Sequence, residues 1–278
     1  MWGVSTDKGI SDNTNLLIIG HFIAWKDTLP QEWIDLHQKR QVICMLTWEP
    51  YISDSLDVNV LKRIADGKED YIIGRMQEQL AKIKSPVWIR FGHEMNGNWY
   101  SWSGSNNGPD GAVLYKEAFV YLKRKFIQKT NDSTSFIFCV NREDVPNNSK
   151  NRFESYYPGS EYVDIVGLDA YDKCKNTAKS LLIEPYERIV RMAPDKPVVV
   201  TEIATACTKK HEWLVALNEC IKTDFRSIKA VVWFDYVKEE NWSLGTDTAA
   251  GELIDKWNQD INLQLYNNFK MSLIRKGM

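Results

Sequence analysis

The sequence predicts one α/β domain, a (β/α)8 barrel, and two observations carry that prediction. Eight short apolar runs are spaced along a chain of 278 residues, and helical patterns separate most of them. Most of the runs are continuously apolar rather than alternating, which suits parallel strands covered on both faces.

The runs, in order, are Trp2–Ser5, Leu16–Ile23, Val42–Trp48, Val87–Phe91, Ser135–Asn141, Val163–Tyr171, Pro197–Thr205 and Ala230–Tyr236. Between them, 30–40 opens on Pro30, which fits a first helical turn. In 70–84, Ile72, Met76, Leu80 and Ile83 share one helical face, as do Leu114, Ala118, Leu122 and Phe126 in 111–130. Further helical patterns span 177–192, 209–226 and 250–275. Only ten residues, 6–15, separate the first two runs, too few for a full crossover helix. Either the first βα unit is shortened or Trp2–Ser5 lies outside the barrel; an open doubly wound sheet is the alternative. No linker or repeat divides the chain, so residues 1–278 are expected to form one domain.

Composition narrows the function. Hydrophobic residues make up 44% and the formal net charge is −2 without a basic block, which argues against a nucleic-acid surface. No apolar run reaches 18 residues, so no membrane span is expected. The five cysteines (44, 139, 174, 207 and 220) are odd in number and lack Cys-x-x-Cys spacing. All five are expected as free thiols, with no zinc site and no other cofactor. Eleven tryptophans exceed what packing asks for; flat rings with one polar atom make platforms for the apolar faces of sugars.

The chemistry sits at strand ends. Glu94 closes VWIRFGHE and Glu202 lies in PVVVTEIAT. A lone buried Glu is costly unless paired. Two of them at the C-terminal ends of the fourth and seventh strands would meet at the face where barrel enzymes build their sites. General acid catalysis by one and nucleophilic attack by the other is the chemistry such a pair serves; a structural ion pair with Arg90 or Lys238 is the blander alternative. Arg90 stands four residues before Glu94, on the same strand face, where it could reach a carboxylate of an adjacent strand. Polar and aromatic groups also end the other strands, in LTWEP, GLDAYD and VWFDY.

The segment RFGHEMNGNWYSW resembles the signature of glycoside hydrolase family 26, which includes endo-β-1,4-mannanases. LTWEP, VGLDAYD, VVVTEIAT and VVWFDY follow in the family's order, so the resemblance runs from LLIIGHFIAW to the eighth strand. It implies retaining hydrolysis of a β-linked polysaccharide, with Glu94 as acid/base and Glu202 as nucleophile. It further implies that His93 and Tyr171 steady Glu202, that Trp233 floors the subsite of the reacting sugar and that Trp99 lines the next one. Asn96 and Trp48 are expected in the cleft, with Trp25 and Asn141 as weaker candidates. β-1,4-Mannan is the expected substrate; mixed-linkage β-glucan and β-1,3-xylan are the alternatives, as are transglycosylation and, in another class, a carbohydrate-binding barrel without activity. A polysaccharide substrate implies a secreted or cell-surface protein, expected to be a monomer.

Overall fold

The computed structural model describes residues 1–6, 16–30, 32, 33, 35, 39, 42–51, 59–83, 86–127, 134–245 and 248–259. Eight strands close into a parallel barrel in sequential order. They are β1 (Trp2–Ser5), β2 (Ile18–Ala24), β3 (Ile43–Glu49), β4 (Val87–Phe91), β5 (Thr134–Asn141), β6 (Ile165–Asp172), β7 (Val198–Thr205) and β8 (Ile228–Phe234). β1 pairs with β8 from Trp2↔Val231 to Ser5↔Phe234, so the first run is a barrel strand and the open-sheet alternative falls. The question of a shortened first βα unit concerns 7–15, outside the described residues, and the expected helix 30–40 lies largely outside them too.

Among the described residues, six α-helices cover the strands: α1 (Val60–Ala65), α2 (Asp70–Leu80), α3 (Gly111–Ile127), α4 (Ala178–Met192), α5 (Lys210–Thr223) and α6 (Thr248–Gln259). The pattern at 250–275 is described only as far as Gln259. On α2 the buried stripe runs through Ile73, Met76 and Leu80, with Ile72 half-buried at its edge. α4 starts at a reciprocal cap, in which the Thr177 hydroxyl accepts from the Ser180 amide and the Ser180 side chain accepts from Thr177 N–H. Among the described residues no helix is long and apolar enough to cross a membrane.

Strand alternation sorts the core into two shells. Ile18, Met45, Trp88, Ile137, Val199 and Val232 fill the barrel interior. Their sequence neighbours, among them Leu46, Ile89, Phe138 and Val231, face the helices. Each of these side chains is nearly or wholly removed from water, which stabilises the fold by about 1.5–3 kcal/mol per large residue. Gly167 keeps the interior open under the site: a Cβ there would stand 2.9 Å from Cys139 Cβ and 3.0 Å from Thr201 Oγ1.

β7 breaks the alternation where the chemistry needs it. Its pairing with β6 passes from Leu168↔Val200 to Asp169↔Glu202 and leaves Thr201 over. Against β8, Val200↔Val231 is followed by Ile203↔Trp233. One extra residue on β7 is a bulge, and it turns both Thr201 and Glu202 towards the barrel axis.

The expectation of five free thiols is corrected. Cys174 and Cys207 form a disulfide, with Cα atoms 4.9 Å apart. β6 and β7 are parallel neighbours, so the segments leaving their ends emerge side by side; Ala206 N–H donates to Asp172 O at 2.8 Å and draws them together. Cys44, Cys139 and Cys220 are free.

Candidate active site

The site is a cleft of about 720 Å3 at the C-terminal ends of the strands, lined by both Glu94 and Glu202. Its floor is an ion cluster. Arg90, wholly buried on β4, donates from Nε to Thr47 Oγ1 at 3.0 Å and from Nη1 to Asp169 Oδ2 at 2.6 Å. Its Nη2 donates to Glu202 Oε1. Glu202 Oε2 accepts from the Tyr171 hydroxyl. Asp169 also accepts from Thr201 Oγ1 at 2.6 Å, the contact the bulge makes possible. One guanidinium thus serves two carboxylates, and each of its three nitrogens donates within the group.

Glu94 is held differently. Its backbone is left-handed, φ 53°, uncommon for a residue with a Cβ, while its N–H still reaches Cys139 O at 3.0 Å. Gly92, also at φ 53°, precedes it and lets the chain leave β4 sharply. The carboxyl accepts from Trp99 Nε1 at 2.8 Å and from Asn141 Nδ2 at 2.7 Å, both neutral donors. Burial, then the charges of Asp169 and Glu202, push its pKa up to about 8, against the pull of those two hydrogen bonds. Burial raises Asp169 too, but Arg90 in direct contact opposes it. Glu94 has no such cation, so it is the carboxyl that keeps its proton at neutral pH.

Most of the residues expected from the sequence gather here. Tyr171, Trp99 and Asn141 line the cleft and touch one or the other Glu. His93 is buried beside them; its ring shares a hydrogen bond with the Tyr100 hydroxyl at 3.1 Å, and its Nδ1 has no partner among the described residues. Burial first, then Arg90 and Lys238, hold His93 well below the usual imidazole range, so it is neutral. Asn96 does not open on the cleft. It clamps the segment after β5 by donating to Asn141 O at 2.9 Å and accepting from Asn141 N–H at 2.9 Å, and so fixes a residue that holds Glu94.

Three tryptophans fall outside the cleft, and alternation is the reason. On β3, Met45 faces the barrel axis, so Trp48 faces the helices, where it stacks on Trp25 at 4.2 Å. Trp25 is buried with it and donates to Glu69 Oε2 at 3.2 Å. On β8, Val232 points inward and Trp233 outward against Trp213. Trp233 is therefore not the floor of the sugar site; its Nε1 donates to Trp242 O at 2.9 Å and supports a neighbour that does line the cleft. Phe22, Phe234 and Tyr236 supply the aromatic lining on that side. Sequence reasoning also missed Asp169 and Tyr100. Their signals were present: Asp169 stands two residues before Tyr171 on one strand face, and Tyr100 lies inside the NWYSW run.

His93, Asp169 and Glu202 present atoms within 4.8 Å of one another, a spacing a divalent cation could use. Arg90 already lies between the two carboxylates and supplies the positive charge a metal would bring.

Residues 39–252 match glycosyl hydrolase family 26. Endoglucanase H of Acetivibrio thermocellus is 26% identical over 244 residues, 84% of this chain and 26% of that protein. A mannan endo-1,4-beta-mannosidase of Bacillus subtilis strain 168 is 27% identical over 203 residues, 71% of this chain and 49% of that protein. The chain thus spans about a quarter to a half of the length of these relatives. Among solved structures, the YdhT protein from Bacillus subtilis superposes with a TM-score of 0.65 at 21% identity, over 91% of this chain and 82% of that one. A GH26 beta-mannanase from Bacteroides ovatus gives 0.63 at 18%, over 93% and 88%. These structural likenesses speak for the barrel, and the sequence match covers both strand-end glutamates: the chain belongs to glycosyl hydrolase family 26.

Proposed function

We propose that the protein is a retaining, endo-acting β-glycoside hydrolase whose substrate is β-1,4-mannan. The observation that carries this is the contrast between two carboxyls in one cleft: Glu94 neutral between uncharged donors, Glu202 charged against Arg90 and Tyr171. Environments that drive two carboxyls apart in pKa assign an acid and a nucleophile.

In this mechanism Glu94 gives its proton to the glycosidic oxygen as Glu202 bonds the anomeric carbon. Arg90 and Tyr171 donate to the two Glu202 oxygens and aim them at that carbon. Once the glycosyl ester forms, Glu202 has lost its charge, and one of the influences that raised Glu94 is gone. Glu94, now ionised, takes a proton from water, which attacks the same carbon and frees the sugar. His93, buried behind the cleft wall, shares a hydrogen bond with the Tyr100 hydroxyl and so positions that group at the cleft surface. Trp99, 45% exposed with its N–H on Glu94, offers a ring face to the sugar beside the acid. The reading takes the whole chain as one catalytic barrel, monomeric and secreted or on the cell surface.

Reducing-sugar release from mannan, glucomannan, mixed-linkage glucan and β-1,3-xylan tests the substrate. Proton NMR of the first product tests retention: a β anomer supports the covalent step and an α anomer overturns it. The relative named endoglucanase H, matching 84% of this chain, favours a β-glucan as the second reading. An inactive binding barrel is disfavoured, because a binding groove gains nothing from a desolvated acid.

A further inference from the structure

Two lysines in the cleft have no task in the hydrolysis just described. Lys173 leaves the end of β6 and Lys238 follows β8, so they flank β7, the strand that carries Glu202. Both line the same cleft as the two catalytic glutamates. Among the described residues, no ion pair involves either ammonium, whereas neighbouring Arg142 is paired with Glu143 at 2.9 Å.

Lys238 is not simply extended into solvent. Its Nζ lies over the rings of Phe234, Tyr236 and Phe22, at 5.0, 5.4 and 5.8 Å from their centroids. Three ring faces attract the ammonium and hold it over the cleft. Its field reaches the floor, where it acts on Glu49 and His93. The backbone turns back behind it: Val237 bridges to Asn241, and Lys238 N–H donates to Glu240 O at 3.1 Å. Lys173 is fixed from both sides, by buried Asp172 before it and by Cys174, tied to Cys207, after it. Four carboxylates of the cleft are engaged elsewhere: Glu202 with Arg90, Glu94 with Trp99 and Asn141, Glu143 with Arg142, and Glu239 with Trp242 Nε1 at 3.2 Å. Glu49, the fifth, feels Lys238 through its field without forming an ion pair with it.

We infer that Lys238, with Lys173, recognises an anionic substituent on the β-linked glycan, so that an acid-substituted form of the polymer is preferred over the unsubstituted one. The inference rests on the hydrolase reading and refines its substrate. A carboxylate or sulfate beside the reacting sugar would make charge-assisted hydrogen bonds with ammonium groups that no carboxylate of the described residues contacts directly. A neutral hydroxyl would gain less from the same donors. Because Lys238 is at the rim, the attraction should weaken with salt.

The test uses one glucomannan in three forms: neutral, lightly carboxymethylated and lightly sulfated. Wild type is expected to show kcat/KM about tenfold higher on at least one charged form than on the neutral polymer at low ionic strength. The two charged arms tell carboxylate from sulfate. Added salt should erase the advantage, the double variant Lys173→Gln/Lys238→Gln should bring the ratio to about one, and Lys238→Arg should keep it. Equal wild-type activity on all three polymers, or a double variant that loses the same factor on each, overturns the inference and leaves the hydrolase reading standing. If no polymer is cut, the hydrolase reading for this polymer fails. Binding of the three polymers by affinity electrophoresis then decides the inference alone: wild type must retain the charged forms more strongly than the double variant does, and equal retention overturns it.

Discussion

Replacing Glu94 by Gln should remove hydrolysis and, at the same time, shift stability relative to wild type in the stabilising direction as pH rises. The sign follows from where the proton sits. The folded-state pKa is raised from 4.5 to about 8, first by burial. Between those values the native protein holds a proton that the unfolded chain has released, so wild-type stability falls as pH rises through the interval and levels off above about 8. Each pH unit costs about 1.4 kcal/mol, hence about 4 kcal/mol between pH 5 and pH 8. Gln cannot ionise and escapes this loss. It also cannot accept through its NH2 group, so either Trp99 Nε1 or Asn141 Nδ2 loses an acceptor, a fixed cost of about 1–3 kcal/mol. That cost does not vary with pH; the slope does the discriminating. Urea unfolding of both proteins at pH 5, 6, 7 and 8 is the assay. The stability difference, variant minus wild type, should climb by about 1.4 kcal/mol per unit. A flat difference would mean that Glu94 is already ionised in the resting protein, and its assignment as the acid would have to be abandoned.

Other outcomes follow from the same contacts. Trp99→Phe keeps the ring but removes the N–H that favours the ionised acid, so the alkaline limb of the kcat/KM profile, near pH 8 in wild type, should move up by about 0.5–1 unit; a downward move would contradict the role given to that hydrogen bond. Tyr236→Ala should raise KM about five- to tenfold with little loss of stability. Trp233→Ala should instead cost about 3–5 kcal/mol of stability in chemical unfolding, because its ring is buried against the helices. Cys174→Ser should lower stability by about 4 kcal/mol, the chain-entropy value for a closure of 33 residues. Thiol titration of the unfolded, unreduced wild type should count three groups, and a count of five would rule the bridge out.

The barrel is legible because most strands are dominated by apolar residues on both faces, and all eight runs expected from the sequence coincide with observed strands to within two residues. That same continuity hid the direction of the side chains. In ICMLTWE and IKAVVWF nothing in the letters tells the inward face from the outward one, so Trp48 and Trp233 were assigned to the cleft when register sends them to the helices. The two glutamates stood out because an acid at the end of an apolar run has few structural uses. Thr201 could not be read as their neighbour, since only a bulge puts adjacent residues on one face. The disulfide was hidden for another reason: its partners meet only because β6 and β7 end together, a fact of pairing rather than spacing.

The buried guanidinium of Arg90 has a consequence for how such a site can adapt. An arginine does not release its proton in a protein, so the floor beneath the nucleophile carries the same positive charge in acid and in alkali. The travelling proton then belongs to a carboxyl whose donors are Trp99, in the segment leaving β4, and Asn141, the last residue of β5. Changes at those two positions, both at the rim of the barrel, would retune the working pH while the strand interiors that shape it stay untouched.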